Sequence, residues 1–321
     1  MQVIYAFRRA TLYPYEVPPF HLPPPEARAA WLEKVRSVGF NGLELGLDLT
    51  HNSDWHNSVR ALHQDLTACS LPCVAVRCGV CPTHPRQSGT AGALLEQAIT
   101  TASLLGAQIV NVTLTHPVDN RLTGGLPWGN SELSQGASRS ATEHDFLLTA
   151  NVLRQAAHLA EQHHLRLAIE VHQHSLADNS WSTLHLLDLI DHPNVGVNPD
   201  LGNIYWQYAD PEERPEQAII RLAPRAAYWH CKNLLRLPLP QLNHAIYQRV
   251  PLPDGEIDYR FAISAMLAAD YRGALAIEGL PLGDQLSADA KSLSYIHTLL
   301  NELKTKNLPQ IQMQSQSWAK Q

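Results

Sequence analysis

The sequence has no run of about 18 apolar residues, so it offers no candidate membrane-spanning helix. It also has no basic run, and its net charge of −6 argues against a nucleic-acid-binding surface. The first residues, MQVIYAFRR, lack the apolar region and the small-residue cleavage site of a secretion signal. We therefore expect a cytoplasmic protein with no membrane partner and no nucleic-acid partner.

Cysteine is scarce, with five residues in the chain. An odd number of cysteines without a secretion signal indicates free thiols in a reducing compartment. Cys78 and Cys81 have the CxxC spacing of a redox or zinc motif, but no second CxxC or histidine pair accompanies them at zinc-finger spacing. We expect these two cysteines to be structural or incidental.

A recurring pattern indicates the fold. A helix-like segment ends near glycine and an apolar run follows, as in KVRSVGFNGLELGL, TTASLLGAQIVNVTL and MLAADYRGALAIEGL. Extended to the whole chain, the pattern predicts eight strands at 2–7, 40–46, 72–78, 107–113, 165–171, 194–199, 225–231 and 273–279. The predicted helices are 26–38, 54–69, 90–105, 143–163, 181–190, 213–223, 257–270 and 286–304.

Eight strand–helix pairs in 321 residues predict an α/β protein with a single (β/α)8 TIM barrel. The alternative is a doubly wound open sheet, but no glycine-rich phosphate loop follows the first strand. We expect the barrel to occupy residues 1–306 and a polar tail to occupy 307–321. Long segments at 8–24, 114–141 and 232–256 are predicted to be functional loops.

Four ionisable side chains stand where predicted strands end: Glu170, Asp200, His230 and Glu278. The first three are spaced 30 residues apart, and the fourth follows 48 residues later. About 30 residues is roughly one βαβ unit, so the four are expected at the same end of successive units. The structural alternative, ordinary strand-end residues, explains any one of them better than all four together.

Three carboxylates and an imidazole favour a hard or borderline divalent ion, most simply Mn²⁺, with Mg²⁺, Co²⁺ and Zn²⁺ as alternatives. Two remaining positions would let adjacent sugar oxygens chelate the ion and would acidify a neighbouring C–H bond. Glu170 and Glu278 are then the natural pair to remove and return a proton, through a cis-enediolate held by the metal.

At these residues the sequence resembles the xylose-isomerase-like TIM barrels, the sugar phosphate isomerase/epimerase group that includes AP endonuclease family 2. The segments LAIEVHQHSLADN, NVGVNPDLGNIYW, AAYWHCKNLLR and LPDGEIDYRFAISAMLAADYRGALAIEG carry the resemblance. It implies metal ligands at Glu170, Asp200, His230 and Glu278, with Glu170 and Glu278 as the acid/base pair. It also implies that the protein acts on a small-molecule sugar or sugar acid and pairs with itself, as a dimer or tetramer.

The sequence departs from this family at two positions. Asn203 stands where members often have histidine, and Leu176 stands where ketose 3-epimerases have glutamate, whereas Arg236 fits the arginine of those epimerases. Asn203 also removes a ligand expected of the AP endonucleases, which makes DNA repair a minor alternative.

Further candidates for contact with substrate are His172, Lys232, Glu44 and Asn111. His172 and Lys232 follow Glu170 and His230 by two residues and so share their side of an extended strand. Glu44 ends the second strand, where it either lines the pocket or pairs with an arginine such as Arg77. The remaining candidates are His116, near the end of the fourth strand, and two tryptophans, Trp128 and Trp206, whose flat faces either form a wall for a sugar or pack in the core or a lid.

These observations favour a metal-dependent isomerase or epimerase acting on a sugar or keto-sugar. A lyase on the same scaffold, which dehydrates a keto-inositol or a dehydroshikimate-like acid, would share the first proton abstraction. A sugar-binding barrel without activity is the third hypothesis, and it would bind ligand without hydrogen exchange.

Overall fold

The computed structural model describes residues 1–6, 25–46, 54–84, 88–114, 138–173, 175–206, 212–242, 244–279 and 284–305. The expectations for residues 8–24, His116, Trp128 and the tail 307–321 fall outside this set, so the barrel-and-tail division stays a prediction. Among the helices described, none is both long and apolar enough to cross a bilayer.

Ten strands and nine helices are present in the described part of the chain. The strands are β1 Gln2–Ala6, β2 Leu43–Gly46, β3 Cys73–Val80, β4 Ile109–Leu114, β5 Arg166–Glu170, β6 Val195–Asn198, β7 Trp229–Cys231, β8 Asn233–Leu239, β9 His244–Val250 and β10 Ala274–Glu278. The helices are α1 Pro25–Val38, α2 Trp55–Ala68, α3 Ala91–Leu105, α4 Glu143–Gln162, α5 Ser180–Ile190, α6 Leu201–Tyr205, α7 Pro215–Leu222, α8 Tyr259–Ala268 and α9 Gln285–Thr305.

Eight of the strands form one parallel sheet in the order β6-β5-β4-β3-β2-β1-β10-β7. A parallel bridge between Val197 and Ala226 brings the two ends of this sheet together, and the amide of Ala227 donates to the carbonyl of Val197 at 2.8 Å. The sheet is therefore a nearly closed barrel with helices between its strands. The predicted (β/α)8 TIM barrel is confirmed.

Local signals explain where individual helices begin and end. Gly106 ends α3 in the left-handed region at φ 68°, as the recurring helix–glycine–strand pattern predicts. Thr142 begins α4 with a capping box, because its hydroxyl accepts from the amide of Asp145 at 3.3 Å and the Asp145 carboxylate accepts from the amide of Thr142 at 2.7 Å.

The structure contains two elements that were not predicted. Strands β8 and β9 form an antiparallel hairpin, with Leu237 opposite Ile246. The segment 232–256 was predicted as a long loop after a strand, but Pro238 is compatible with an isolated two-stranded ribbon, where a missing donor is tolerated. The short helix α6 follows β6 and begins at Asp200, whose side chain accepts from the amide of Asn203.

The hydrophobic core has two parts. A large cluster fills the space between the strands and the helices, and a small alanine-rich cluster contains Ala168, Ala276, Ile109, Ala75 and Tyr228. The small cluster indicates which strand residues face the barrel interior. Each of its members listed here stands two residues before a polar strand residue, on the same face of the strand. The five free cysteines form no disulfide, and Cys78 and Cys81 are both buried.

Candidate active site

A ring of buried polar side chains lies at the carboxyl ends of the barrel strands. The strand period of two places Arg77, Asn111, Glu170, His230 and Glu278 directly beyond the small interior cluster. In TIM barrels this is the end that carries active sites. The expected convergence of strand-end residues is therefore present in the structure.

Glu170, at the end of β5, is 1% exposed. Its carboxylate accepts hydrogen bonds from the side-chain amides of Asn111 at 2.8 Å and Asn203 at 3.1 Å. Burial raises the pKa of Glu170, but the neighbouring His230 outweighs burial and holds this pKa well below its usual range. Glu170 is therefore a fixed, ionised carboxylate.

His230, in β7, is fully buried between carboxylates. Its Nε2 hydrogen bonds Glu44, while its Nδ1 lies 3.4 Å from Oε1 of Glu170 and 3.8 Å from Oδ2 of Asp200. Within the described residues, Nδ1 has no hydrogen-bond partner. Burial lowers the pKa of His230, but Glu44 and Glu170 reverse this and raise it to about 10.

Glu44, at the second strand, is engaged by protein groups at both of its oxygens. Arg77 donates to Oε1 at 2.8 Å, and the Tyr228 hydroxyl donates to Oε2 at 2.6 Å beside His230. Burial raises the pKa of Glu44, and Arg77 and His230 together lower it below its usual range. Glu44 thus pairs with Arg77, one of the two alternatives predicted for it, and it does so beside His230.

Glu278, at the end of β10, is held by two cations. Lys232 Nζ lies 2.5 Å from its Oε2, and Arg249 Nη2 lies 3.1 Å from the same oxygen. Arg77 Nη2 approaches Oε1 at 3.8 Å. Lys232 also reaches Asp200 Oδ2 at 2.9 Å, which links two of the four predicted metal ligands through one ammonium group.

The donor set fits a divalent ion. Single ligand atoms of Glu170, His230 and Glu278 all lie within 4.8 Å of one another, and the three residues are buried. Asp200 borders this group, and the unpartnered Nδ1 of His230 faces it. Glu44 accepts from the other ring nitrogen, as carboxylates commonly do for metal-bound histidines. Oxygen-rich sets with one imidazole suit Mg²⁺, Mn²⁺ or a similar ion.

The predicted substrate-side residues divide into three groups. Lys232, Asn203 and Asn111 are buried within the ring, and the amide of Asn203 bonds both Glu170 and Asp200. His172 follows Glu170, and burial lowers its pKa to about 4. The Arg236 side chain donates to the Tyr247 hydroxyl at 3.1 Å, and the Arg236 backbone amide donates to the Glu256 carboxylate.

Three residues of the site escaped the sequence analysis. Asn198 and Tyr228 had a usable signal, because each stands two residues before a predicted ligand. Asn198 donates to Asn111 at 3.0 Å and accepts from the amide of His230 at 2.7 Å. No sequence signal indicated Arg249, because it lies on the hairpin, which was predicted as a loop.

Aromatic side chains border the hairpin side of the site. The guanidinium carbon of Arg249 lies 5.8 Å from the ring centroid of Trp206, and Tyr247 contacts the same tryptophan with centroids 6.1 Å apart. Trp206 was predicted either to form a wall for a sugar or to pack in the core or a lid. The structure places it against Arg249, next to Glu278.

Comparisons with known proteins agree with the fold. The chain is 31% identical over 153 residues to 3-dehydroshikimate dehydratase of Bacillus anthracis, covering 45% of this chain and 53% of that enzyme, so it spans about half the length of this curated relative. The fold matches a xylose isomerase-like TIM barrel protein from Mycobacterium smegmatis in complex with magnesium, with TM-score 0.73 and 21% identity over 94% of this chain and 97% of that chain.

It also matches 3-keto-D-glucoside 4-epimerase of E. coli, with TM-score 0.67 and 14% identity over 93% of this chain and 99% of that chain. At such identities the two structural matches show the fold alone. A model of the family described as "Xylose isomerase-like TIM barrel" matches residues 32–296. Because this match covers most of the chain, the protein belongs to the xylose isomerase-like TIM barrel family.

Proposed function

We propose that this protein is a metal-dependent isomerase or epimerase of a sugar or keto-sugar, acting in the cytoplasm. The observation that carries the proposal is the buried group of Glu170, His230 and Glu278, with ligand atoms within 4.8 Å of one another. Asp200 would be the fourth ligand. Mn²⁺ is the proposed ion, because a set of three carboxylates and one imidazole is hard to borderline in character.

A bound divalent ion would polarise a substrate carbonyl and acidify the adjacent C–H bond. Glu170 and Glu278 would then exchange the proton. They stand on β5 and β10, and β6 and β7 lie between them around the nearly closed barrel, so they approach a central substrate from different sides. Inversion of a carbon centre requires an acid and a base on opposite faces of the substrate.

Neighbouring side chains prepare the two glutamates for this role. Asn111 and Asn203 orient Glu170 through hydrogen bonds, and Lys232 lies close enough to Glu278 to donate a proton to it. Both glutamates are at most 3% exposed, so neighbouring protein groups set their protonation.

Dehydration is the second candidate, and the identity with a 3-dehydroshikimate dehydratase over 153 residues favours it. The first proton abstraction would be the same. The two reactions differ in the next event, because a dehydratase expels a hydroxyl group whereas an epimerase returns the proton.

Metal content is the first part of the test. His158, Glu161 and His192 form a second group with ligand atoms within 4.8 Å, on the surface. Mass spectrometry of metals should therefore use a His192→Ala background. We expect one equivalent of Mn²⁺ to be retained there and to be lost on Glu170→Gln.

Hydrogen exchange is the second part. Mn²⁺-loaded protein in D₂O is screened against a panel of keto-sugars and sugar acids by mass spectrometry. Gain of one deuterium supports the isomerase or epimerase, and loss of one water supports the dehydratase. Unchanged exchange in Glu170→Gln would sink the mechanism, and tight binding without exchange would identify a binding protein.

A further inference from the structure

Lys232 is an ammonium group that is almost completely buried. It is 2% exposed and lies 2.5 Å from Glu278 Oε2 and 2.9 Å from Asp200 Oδ2. Its aliphatic stem passes Gly202, where an added Cβ would lie 2.2 Å from Cγ of Lys232. The glycine thus leaves the space that the lysine stem needs, and the position of the ammonium is set by packing.

Arg249 brings a second cation to the same place. Its Nη2 lies 3.1 Å from the Glu278 oxygen that Lys232 contacts, and its Nη1 donates to the carbonyl of Gly279 at 3.3 Å. Trp206 covers its guanidinium at 5.8 Å. Two cations from different elements, the end of β7 and the hairpin, therefore share one carboxylate oxygen.

These cations and a divalent ion would compete for the same carboxylates. Glu278 and Asp200 now balance Lys232 and Arg249, but both carboxylates are also proposed metal ligands. Another buried carboxylate, Asp289, already bonds the Tyr5 hydroxyl. A buried cation that loses its counter-charge is strongly unfavourable. With a metal ion bound to Glu278 and Asp200, the positive charges of Lys232 and Arg249 would therefore be only partly balanced.

We infer that the substrate supplies the missing negative charge: it is a polyhydroxy acid whose carboxylate is bound by Lys232 and Arg249. The inference rests on the proposed function and specifies that its substrate is a sugar acid rather than a neutral sugar. A carboxylate suits the site because the planar guanidinium of Arg249 matches it and one negative charge can be shared by two cations. Metal and acid should then bind with positive coupling, each raising the affinity for the other by the same factor.

Titration calorimetry with matched ligands tests the substrate class. Mn²⁺-loaded protein is titrated with shikimate and its uncharged methyl ester, and with D-glucuronate and D-glucose. Since a hydrogen bond to a charged group is worth about 1.5–3 kcal/mol, we expect the acid of each pair to bind about ten- to a hundredfold more tightly. After treatment with EDTA the preference should disappear.

Equal affinity within both pairs would overturn the inference. The absence of binding of all four ligands at about 10 mM would overturn it as well. D-glucose 6-phosphate is a further arm. If it binds more tightly than D-glucuronate, the anion recognised is a phosphate and the assignment of a carboxylate is wrong.

A charge-removing variant tests the residue. In Lys232→Met we expect the preference for acids to fall at least tenfold, while Mn²⁺ affinity is kept or increases because a competing cation is gone. Lys291→Met is the matched control, since Lys291 is an exposed lysine paired with Asp254. If Lys232→Met loses Mn²⁺ or melts early, Arg249→Met provides the second variant. An undiminished preference for acids in a variant that still binds Mn²⁺ contradicts the inference.

The outcome is separable from that of the proposed function. Deuterium exchange with equal binding of acids and neutral sugars would sink this inference alone. Acid-selective binding without exchange would sink the proposed function alone.

Discussion

At the scale of single residues, the site depends on a network in which each buried charge has a partner. Glu44 is the clearest case, because Arg77, Tyr228 and His230 all bond its carboxylate and it is fully buried. Removing one member of such a network leaves the others charged and unpartnered, and this costs far more than the loss of a surface pair.

The first prediction concerns Glu44. Glu44→Ala should lower the free energy of unfolding by about 3–5 kcal/mol, as measured by urea denaturation. Glu33→Ala is the control, because Glu33 forms an exposed pair with Arg36, and it should leave the urea midpoint unchanged. Equal effects of the two substitutions would contradict the account of the network.

The second prediction concerns protons. The pKa of His230 is raised to about 10, so the ring is protonated at pH 7.5, whereas a metal-bound imidazole must be neutral. Mn²⁺ binding at pH 7.5 should therefore release about one proton, and affinity should weaken about tenfold for each pH unit below that pKa. Calorimetry in buffers with different ionisation enthalpies measures the release, and heats that do not depend on the buffer would exclude it.

At the scale of elements, the β8–β9 hairpin is what brings Arg249 to the site. Asn233 anchors the hairpin to the barrel, because its side-chain amide donates to the carbonyls of Leu252 at 2.8 Å and Ile257 at 3.0 Å. An added Cβ at Gly255 would lie 2.2 Å from Cγ of Asn233. The glycine is required for this close approach.

The third prediction follows from that contact. Gly255→Ala should displace Asn233 and destabilise the protein by about 1–3 kcal/mol, the usual cost of overpacking. Gly92→Ala in α3 is the matched control, because nothing lies within 4 Å of its added Cβ and alanine favours a helix. Thermal unfolding of the two variants measures the difference, and a neutral Gly255→Ala would show that the contact is dispensable.

Comparison of elements also shows what sequence could predict. The eight strand–helix pairs followed from periodicity and glycine caps, and the ring followed from residues at strand ends. The hairpin did not, because prolines interrupt its strand pattern and its pairing is non-local. Arg249 was missed for that reason, and the contacts of Arg236 with Tyr247 and Glu256 depend on the same pairing.

At the scale of the whole molecule, the barrel collects charges from distant parts of the chain into one buried cluster. Glu44 and His230 are 186 residues apart in sequence and hydrogen bond directly. A ligand that binds only this folded arrangement stabilises it, by about 2.7 kcal/mol at a concentration one hundred times its Kd. Self-association as a dimer or tetramer stays a prediction, which light scattering during size-exclusion chromatography would test.

The fourth prediction concerns metal removal. Adding saturating Mn²⁺ to EDTA-treated protein should raise the Tm by several degrees, because each kcal/mol shifts the Tm of a domain of about 150–250 residues by roughly 2–4 °C. The shift should vanish in His230→Asn and persist in His192→Ala. A shift that is retained in His230→Asn would locate the ion elsewhere.

An anomalous difference map from crystals grown with Mn²⁺ tests the metal site most directly. We predict one strong peak about 2.0–2.3 Å from Nδ1 of His230 and from carboxylate oxygens of Glu170 and Glu278. A map whose only peak lies at His158, Glu161 and His192, or that has no peak at the barrel ring, would contradict it.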